Sequence, residues 1–354
     1  MVFERCAENP LITPEQVRPW LTGYRVACTF NAGVAEYDGQ VLLLMRVAEK
    51  PPKAPEGCLN VPVLVSGPEG ARVEIETLRL DDPRYDFSDP RKVLDREAGN
   101  YVYLTSISHL RLARSRDGVH FTVDDAPLIR PDCAAEGFGA EDARITRLGD
   151  TYWINYTAVS RNGITTALAT TRDFAEVKKH GIAFVTENRD VTIFPEKIGG
   201  LYRALVRPVP KQIGTARIWV AESPDLLHWG GFAPLELPTF PWSNARSGGG
   251  AVPILLPEGW LVLYHGADRA SNRYSMGAAL LDRQDPSRVL AVSREPVLAA
   301  QAEYERVGFY PNVVFSCGAL LRGDTIHMYY GAADRVIGLA AASCQDVLNA
   351  MEWL

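Results

Sequence analysis

Apolar residues in this chain fall into short β-rich runs joined by tight polar turns. Gly33-Val34-Ala35-Glu36-Tyr37 is joined by Asp38-Gly39 to Val41-Leu42-Leu43-Leu44-Met45. Residues 143–148 are joined by Gly149-Asp150 to residues 151–156, and Gly199-Gly200 precedes the run 201–206. Residues 252–256 are joined by Glu258-Gly259 to 260–264, and 317–321 by Gly323-Asp324 to 325–330. Two-residue turns rich in Gly and Asp between apolar runs are the strongest local signal of a β-hairpin. These residues tolerate the left-handed backbone that such turns impose.

A second device follows several of these hairpins: a short strand, a Ser/Thr-x-Asp turn, then an aromatic. It occurs at Ser115-Arg116-Asp117, Thr171-Arg172-Asp173 and Ser223-Pro224-Asp225, with Phe121, Phe174 and Trp229 following. Hairpin plus outer hairpin gives a four-stranded unit. From Gly149 onward the turns recur about every 50 to 65 residues, near the period of propeller blades. The interval from Gly39 to Gly149 is about twice as long, which predicts an insertion around residues 50–100. Five units predict an all-β chain folded as a five-bladed β-propeller, residues 1–354 being one catalytic domain with short terminal extensions. A β-sandwich is the alternative for the same pattern. Helix is expected only near the ends. Residues 14–18 read as one turn, with Thr13 as cap and Pro14 first. Cys344 to Leu354 reads as a short helix, with Val347, Leu348 and Met351 on one face.

Composition narrows the function. The 354 residues carry 37 Lys+Arg against 43 Asp+Glu, without a basic run that would mark a nucleic-acid or membrane surface. A hydrophobic share of 47% supplies a large core. No apolar run reaches the roughly 18 residues of a membrane span, and Met1-Val2-Phe3-Glu4-Arg5 does not read as a leader peptide, so no targeting signal is expected. Cys6, Cys28, Cys58, Cys133, Cys317 and Cys344 form no C-x-x-C pair. They read as reduced, mostly buried thiols rather than a disulfide frame or zinc site, which predicts a cytoplasmic protein. Neither a P-loop nor a G-x-G-x-x-G occurs.

In a propeller, chemistry sits where inner strands meet the central channel. Polar residues beside the inner-strand runs are Asn31, Arg46, Glu141-Asp142 with Arg144, and Asn188-Arg189-Asp190. Arg207, Arg246-Ser247-Gly248-Gly249-Gly250, His265 and Asp334 continue the series. Singly they have plain readings: Asp190 as a turn cap, the glycines as room for close strand approach, Asp142 as a partner of Arg144. Together they recur at equivalent places in all five units, and the converging arginines suggest an anionic ligand.

Several segments carry a family resemblance. They are Phe30-Asn31-Ala32-Gly33-Val34, the run from Gly139 to Ile145, and the run from Asn188 to Lys197. The runs 223–229, 276–282 and 329–334 complete the set, in order, over about residues 28 to 343. The chain resembles glycoside hydrolase family 130: five-bladed propellers acting on β-mannosides, most of them phosphorylases and a minority hydrolases. The resemblance implies Asp142 as proton donor, acting through a mannose hydroxyl, with Ala143 standing where the family usually has Pro. It implies phosphate contacts at Arg189, Arg207, Arg246 and His265, with Val206 where many phosphorylases have His. Asn31, Arg46 and Asp334 resemble positions that hold the mannosyl unit. Arg144 joins them as a sugar-binding candidate, and Tyr274, near the rim, as a platform for the leaving sugar.

An inverting hydrolase needs a second carboxylate about 6.5–9.5 Å from the acid, to activate water. A phosphorylase needs cations instead, because phosphate is the nucleophile. The retained arginines favour inverting phosphorolysis to α-mannose 1-phosphate. An inverting β-mannosidase and a non-catalytic sugar-binding propeller are the alternatives. Inorganic phosphate is the expected co-substrate, with no metal or other cofactor. The linkage, 1,2 or 1,4, the acceptor sugar and any homo-oligomer are left open.

Overall fold

The structure, a computed structural model, describes residues 1–68 and 70–354. Five antiparallel units follow one another along the chain. The first comprises Arg25–Tyr37, Gln40–Lys50, Ile107–Ser115 and Thr122–Val123. The second comprises Gly139–Leu148, Thr151–Ser160, Gly163–Thr171 and Lys178–Phe184. The third comprises Asn188–Ile193, Tyr202–Pro208, Trp219–Ser223 and Gly230–Pro234. The fourth is built on Arg246–Gly249, Gly259–Ala267, Tyr274–Leu281 and Val289–Ser293. In the fifth, Val314–Arg322, Thr325–Ala332 and Val336–Ser343 take their outer strand from Glu4–Arg5. A parallel bridge from Gly139 to Ser108 joins the first two units into one sheet.

The hairpins form where the turn residues predict. Tyr37 pairs with Gln40, Leu148 with Thr151 and Arg322 with Thr325. In the fourth unit Leu256 pairs with Gly259, so the turn is Pro257-Glu258, one residue earlier than the glycine suggests. The Ser/Thr-x-Asp turns share one hydrogen-bond pattern. Ser115 Oγ, Thr171 Oγ1 and Ser223 Oγ each accept from the amide three residues on, at 2.9, 2.9 and 2.8 Å. The Asp two residues on accepts from the next amides, as Asp117 Oδ1 does from Val119 and His120 at 2.8 Å. These side chains replace backbone partners that the bend removes.

Alternation along the strands places one apolar face against each neighbouring unit. Leu42 and Leu44 of the first unit pack with Ile145 and Ile154 of the second. Leu168 and Phe184 of the second meet Val191 and Val206 of the third. Leu205 and Val220 of the third meet Trp260 and Val262 of the fourth. Leu261 and Met276 of the fourth meet Val314 and Met328 of the fifth. Tyr329 and Leu339 of the fifth meet Val41 and Leu43 of the first. Each such side chain contributes about 1.5–3 kcal/mol on full burial.

The long first interval holds a hairpin, Cys58–Gly67 with Gly70–Arg79, and a three-stranded sheet between Tyr85 and Leu104. It has a small core of its own, Val61, Leu78, Val93 and Tyr103. The turn after Thr13 is a 3-10 helix, Pro14–Gln16. The expected C-terminal helix stops at Asn349; Met351–Trp353 is a strand on Val289–Ser293 instead. Pairing with an open sheet edge outweighs three more residues of a short helix. All six cysteines are unpaired, but only Cys28 and Cys317 are buried, fewer than expected. No described helix is long and apolar enough to cross a membrane.

Candidate active site

The first strands of the units converge on a cavity of about 480 Å³. Three of these strands carry a bulge at the same place. The register shifts between Phe30 and Gly33, between Glu141 and Arg144, and between Arg189 and Thr192. At each bulge an Asn or Asp adopts a left-handed backbone: Asn31 at φ 48°, Asp142 at 49° and Asp190 at 53°. Asn and Asp tolerate this region better than other residues with a Cβ. The extra residue re-aims its side chain, and all three line the cavity. Asp334, at φ 50°, lines it from the end of the fifth unit's second strand.

One side of the cavity is a cluster of acids around one arginine. Asn31 Nδ2 donates to Asp142 Oδ1 at 3.0 Å, and Arg46 Nη1 meets the same oxygen at 3.3 Å. Among the described residues no hydrogen bond or ion pair engages Asp142 Oδ2, which leaves that oxygen for a ligand. Arg46 also donates to Glu141 Oε1 at 2.6 Å and to Ser108 Oγ at 3.0 Å, with its guanidinium 4.5 Å from the Phe30 ring centre. Burial pushes Glu141 above its ordinary range, against the pull of Arg46. Burial likewise pushes Asp334 up to about 7; Asp142 and Glu141 add to the rise, and Arg46 opposes it. This side therefore holds a proton close to neutral pH.

The other side inverts that ratio. Asp190 Oδ2 lies 2.9 Å from Arg207 Nη1 and 3.3 Å from His265 Nε2, while Oδ1 lies 3.4 Å from Arg144 Nη2. Burial alone would raise the Asp190 carboxyl, but Arg207, His265 and Arg144 hold it well below the usual range. Burial pushes His265 down, against Asp190, so its ring is neutral at rest. Arg189, Arg246 and Arg269 line the same cavity. The run Arg246-Ser247-Gly248-Gly249-Gly250 makes the arrangement possible. A Cβ on Gly248 would stand 2.7 Å from Asp190 Oδ2 and 2.5 Å from His265 Cε1. On the acid side Gly331 has the same duty, since a Cβ there would run into Asn31 Oδ1.

Nine of the ten expected site residues therefore line one cavity: Asp142, Arg189, Arg207, Arg246, His265, Asn31, Arg46, Tyr274 and Asp334. Arg144 does not. It is buried beneath the floor, where it donates to the carbonyls of Asp142, Gly249 and Gly250 at 2.9, 3.0 and 3.1 Å. It braces the strands and has no free reach to a sugar. Tyr274 stands with the basic group, its ring 5.9 Å from the Arg246 guanidinium and 6.0 Å from His265. Asp190, read as a turn cap, is the hub of the basic side. Only its place in the run Asn188-Arg189-Asp190, matching Glu141-Asp142 one unit earlier, signals this in the sequence. Arg269, Glu187 and Tyr310 also line the cavity, from loops without a distinguishing motif.

A proton-bearing carboxyl facing an arginine-lined pocket can donate to a leaving oxygen while an anion sits opposite. Comparison with known proteins agrees with that chemistry. A family model described as β-1,4-mannooligosaccharide phosphorylase, of glycoside hydrolase family 130, matches residues 71–353. The chain is 48% identical to a β-1,2-mannobiose phosphorylase of Listeria innocua, over 99% of both chains. The solved structure of a Listeria innocua β-1,2-mannobiose phosphorylase, in complex with β-1,2-mannobiose, superposes with a TM-score of 0.94 over 99% of each chain. A 1,2-β-oligomannan phosphorylase of Thermoanaerobacter is 39% identical, over 68% of this chain and 80% of its own length. A β-1,4-mannooligosaccharide phosphorylase of Ruminococcus albus is 31% identical, over 66% of this chain and 73% of its own.

Proposed function

The chain belongs to glycoside hydrolase family 130, and from that premise we propose that it is an inverting phosphorylase of β-1,2-linked mannosides. Phosphate is the co-substrate and α-mannose 1-phosphate the product. One observation carries the reading: Arg189, Arg207, Arg246 and His265 share a cavity with Asp142. A phosphate oxygen forms the new bond to the anomeric carbon from the arginine side. The glycosidic bond breaks, and the leaving oxygen takes the proton supplied from Asp142. Attack from the face opposite the leaving group inverts the configuration. Asn31, Arg46 and Asp334 hold the mannosyl unit on the acid side, and no metal or other cofactor is required. The linkage is supported by three relatives named for 1,2-linked mannosides, at 48%, 39% and 35% identity, against 31% for one named for 1,4-linked mannooligosaccharides.

The five units are read as blades of a single five-bladed β-propeller domain. In support, the apolar clusters link the units in cyclic order, from the first through the fifth and back. The cavity also draws side chains from every unit. Cytoplasmic residence is part of the proposal, supported by six unpaired cysteines.

The test is incubation with β-1,2- and β-1,4-mannobiose, with and without phosphate, and chromatography of the products. The expected result is α-mannose 1-phosphate from the 1,2-linked sugar, only when phosphate is present. Release of free mannose at the same rate in phosphate-free buffer would replace this reading with a hydrolase.

A further inference from the structure

We infer that Asp190 is the positioning residue of the phosphate pocket: its buried carboxylate aligns Arg207 and His265, from two different units, into one anion cradle. The inference rests on the phosphorylase reading and deepens it. Three observations converge on it. First, the backbone is bent to put the carboxylate there, with Asp190 left-handed at a strand bulge. Second, the neighbouring strand gives up its side chain, because any Cβ at position 248 would press on the Asp190–His265 contact. Third, a buried donor is left over. Arg207 Nε is buried without a hydrogen-bond partner among the described residues. An unpaired buried donor is costly, and a phosphate with several acceptor oxygens is a ligand that relieves it.

The charges give the reason for a carboxylate in an anion pocket. Burial works against the Arg207 charge, as do Arg189 and Arg246; Asp190 opposes them. Without Asp190, Arg207 faces two like charges in a dry site, and its lowest-energy position is turned away from them. Asp190 therefore fixes the guanidinium in place before phosphate arrives. Its remaining neighbour, Arg144, is tied to backbone carbonyls on the floor, so the carboxylate connects the pocket to the rigid part of the fold.

Asp190→Asn is the test variant, because Asn keeps the shape and the left-handed backbone and removes only the charge. Phosphate binding is measured by calorimetry on the full chain without sugar, followed by the KM for phosphate and for β-1,2-mannobiose. The expected result is phosphate affinity about 10- to 100-fold weaker, a parallel rise in the phosphate KM, and a mannobiose KM within about twofold of wild type. Gly248→Ala should give the same split with the carboxylate charge intact, and it carries the test if Asp190→Asn does not fold. Wild-type phosphate affinity in both variants, or equal changes in both KM values, overturns the role of Asp190. Failure of the wild-type protein to bind phosphate instead overturns the phosphorylase reading on which it stands.

Discussion

On one side of the cavity a single guanidinium, Arg46, serves Glu141 and Asp142 and lies close enough to pull on Asp334. On the other, a single carboxylate, Asp190, serves Arg207, His265 and Arg144. The two halves use the same parts in inverse proportion. Each has a bulged Asp in the left-handed region, and a glycine clears room beside a bulged side chain: Gly248 beside Asp190, Gly331 beside Asn31. The surplus of acid keeps a proton available, and the surplus of base keeps a place for an anion. Phosphorolysis needs both within the length of one sugar ring. The comparison teaches that the fold supplies the geometry, while the ratio of acids to bases around each hub supplies the chemistry.

The sharpest way to break this picture is to disable one half and find the other intact. Asp142→Asn should lower kcat by roughly 10²–10⁴-fold and leave phosphate binding as it was, by kinetics and calorimetry. A variant with more than about a tenth of the wild-type rate would remove Asp142 from its role. The mirror experiment is Arg207→Ala, which leaves Asp190 without its nearest partner. Removing one member of a buried charged pair costs about 2–5 kcal/mol, so the phosphate KM should rise steeply while the mannoside KM moves little. Equal effects on both substrates would mean that Arg207 only braces the channel.

Smaller perturbations sharpen the comparison. Gly331→Ala, which pushes on Asn31, should lower turnover on the order of 10- to 100-fold through misplacement of Asp142, with the phosphate KM unchanged. Arg246 is exposed and makes no ion pair among the described residues. Arg246→Ala should therefore weaken phosphate by about 1 kcal/mol or less, well short of Arg207→Ala. A larger loss would move the centre of the anion site toward the rim.

The last effect is a slope in stability rather than a change in binding or turnover. Asp334, with its carboxyl near 7 in the folded chain, binds a proton natively between about pH 4 and 7 that the unfolded chain has released. Stability from this group therefore falls as pH rises through that window, by at most about 1.4 kcal/mol per pH unit. Asp190 is depressed and has the opposite sign: its contribution is complete above about pH 4 and is lost below it. Denaturant midpoints against pH should show a flatter slope between pH 4 and 7 in Asp334→Asn. Asp190→Asn should leave that slope alone and blunt the loss at lower pH.

What the sequence reveals of all this follows the range of the forces. The hairpin turns and Ser/Thr-x-Asp bends are legible because their hydrogen bonds close within a few residues, as Leu226 does on Ser223. The first unit's insertion is legible as a long interval, but its separate core around Val61 and Val93 is not. The cavity residues are legible because they sit at equivalent places in each unit. Their division is not. Arg144 reads like any other arginine beside an inner strand, and only three backbone carbonyls from two units show that it is a brace. Asp190 reads as a turn residue because its partners lie in other strands, brought near by folding alone. The same holds for Tyr274, whose side of the cavity depends on Arg246, two strands away in the same sheet.

The three left-handed bulges also bear on how such a site changes. Asn31, Asp142 and Asp190 occupy equivalent left-handed sockets whose backbone accepts an amide or a carboxylic acid alike. The two side chains differ by one terminal atom, and their codons by a single base. Each socket is therefore a binary switch of charge at fixed shape. A lineage, or a designer, can move through eight charge patterns of this cavity without rebuilding a strand, provided the neighbouring glycines stay. Charge at these three positions is therefore set apart from the course of the backbone.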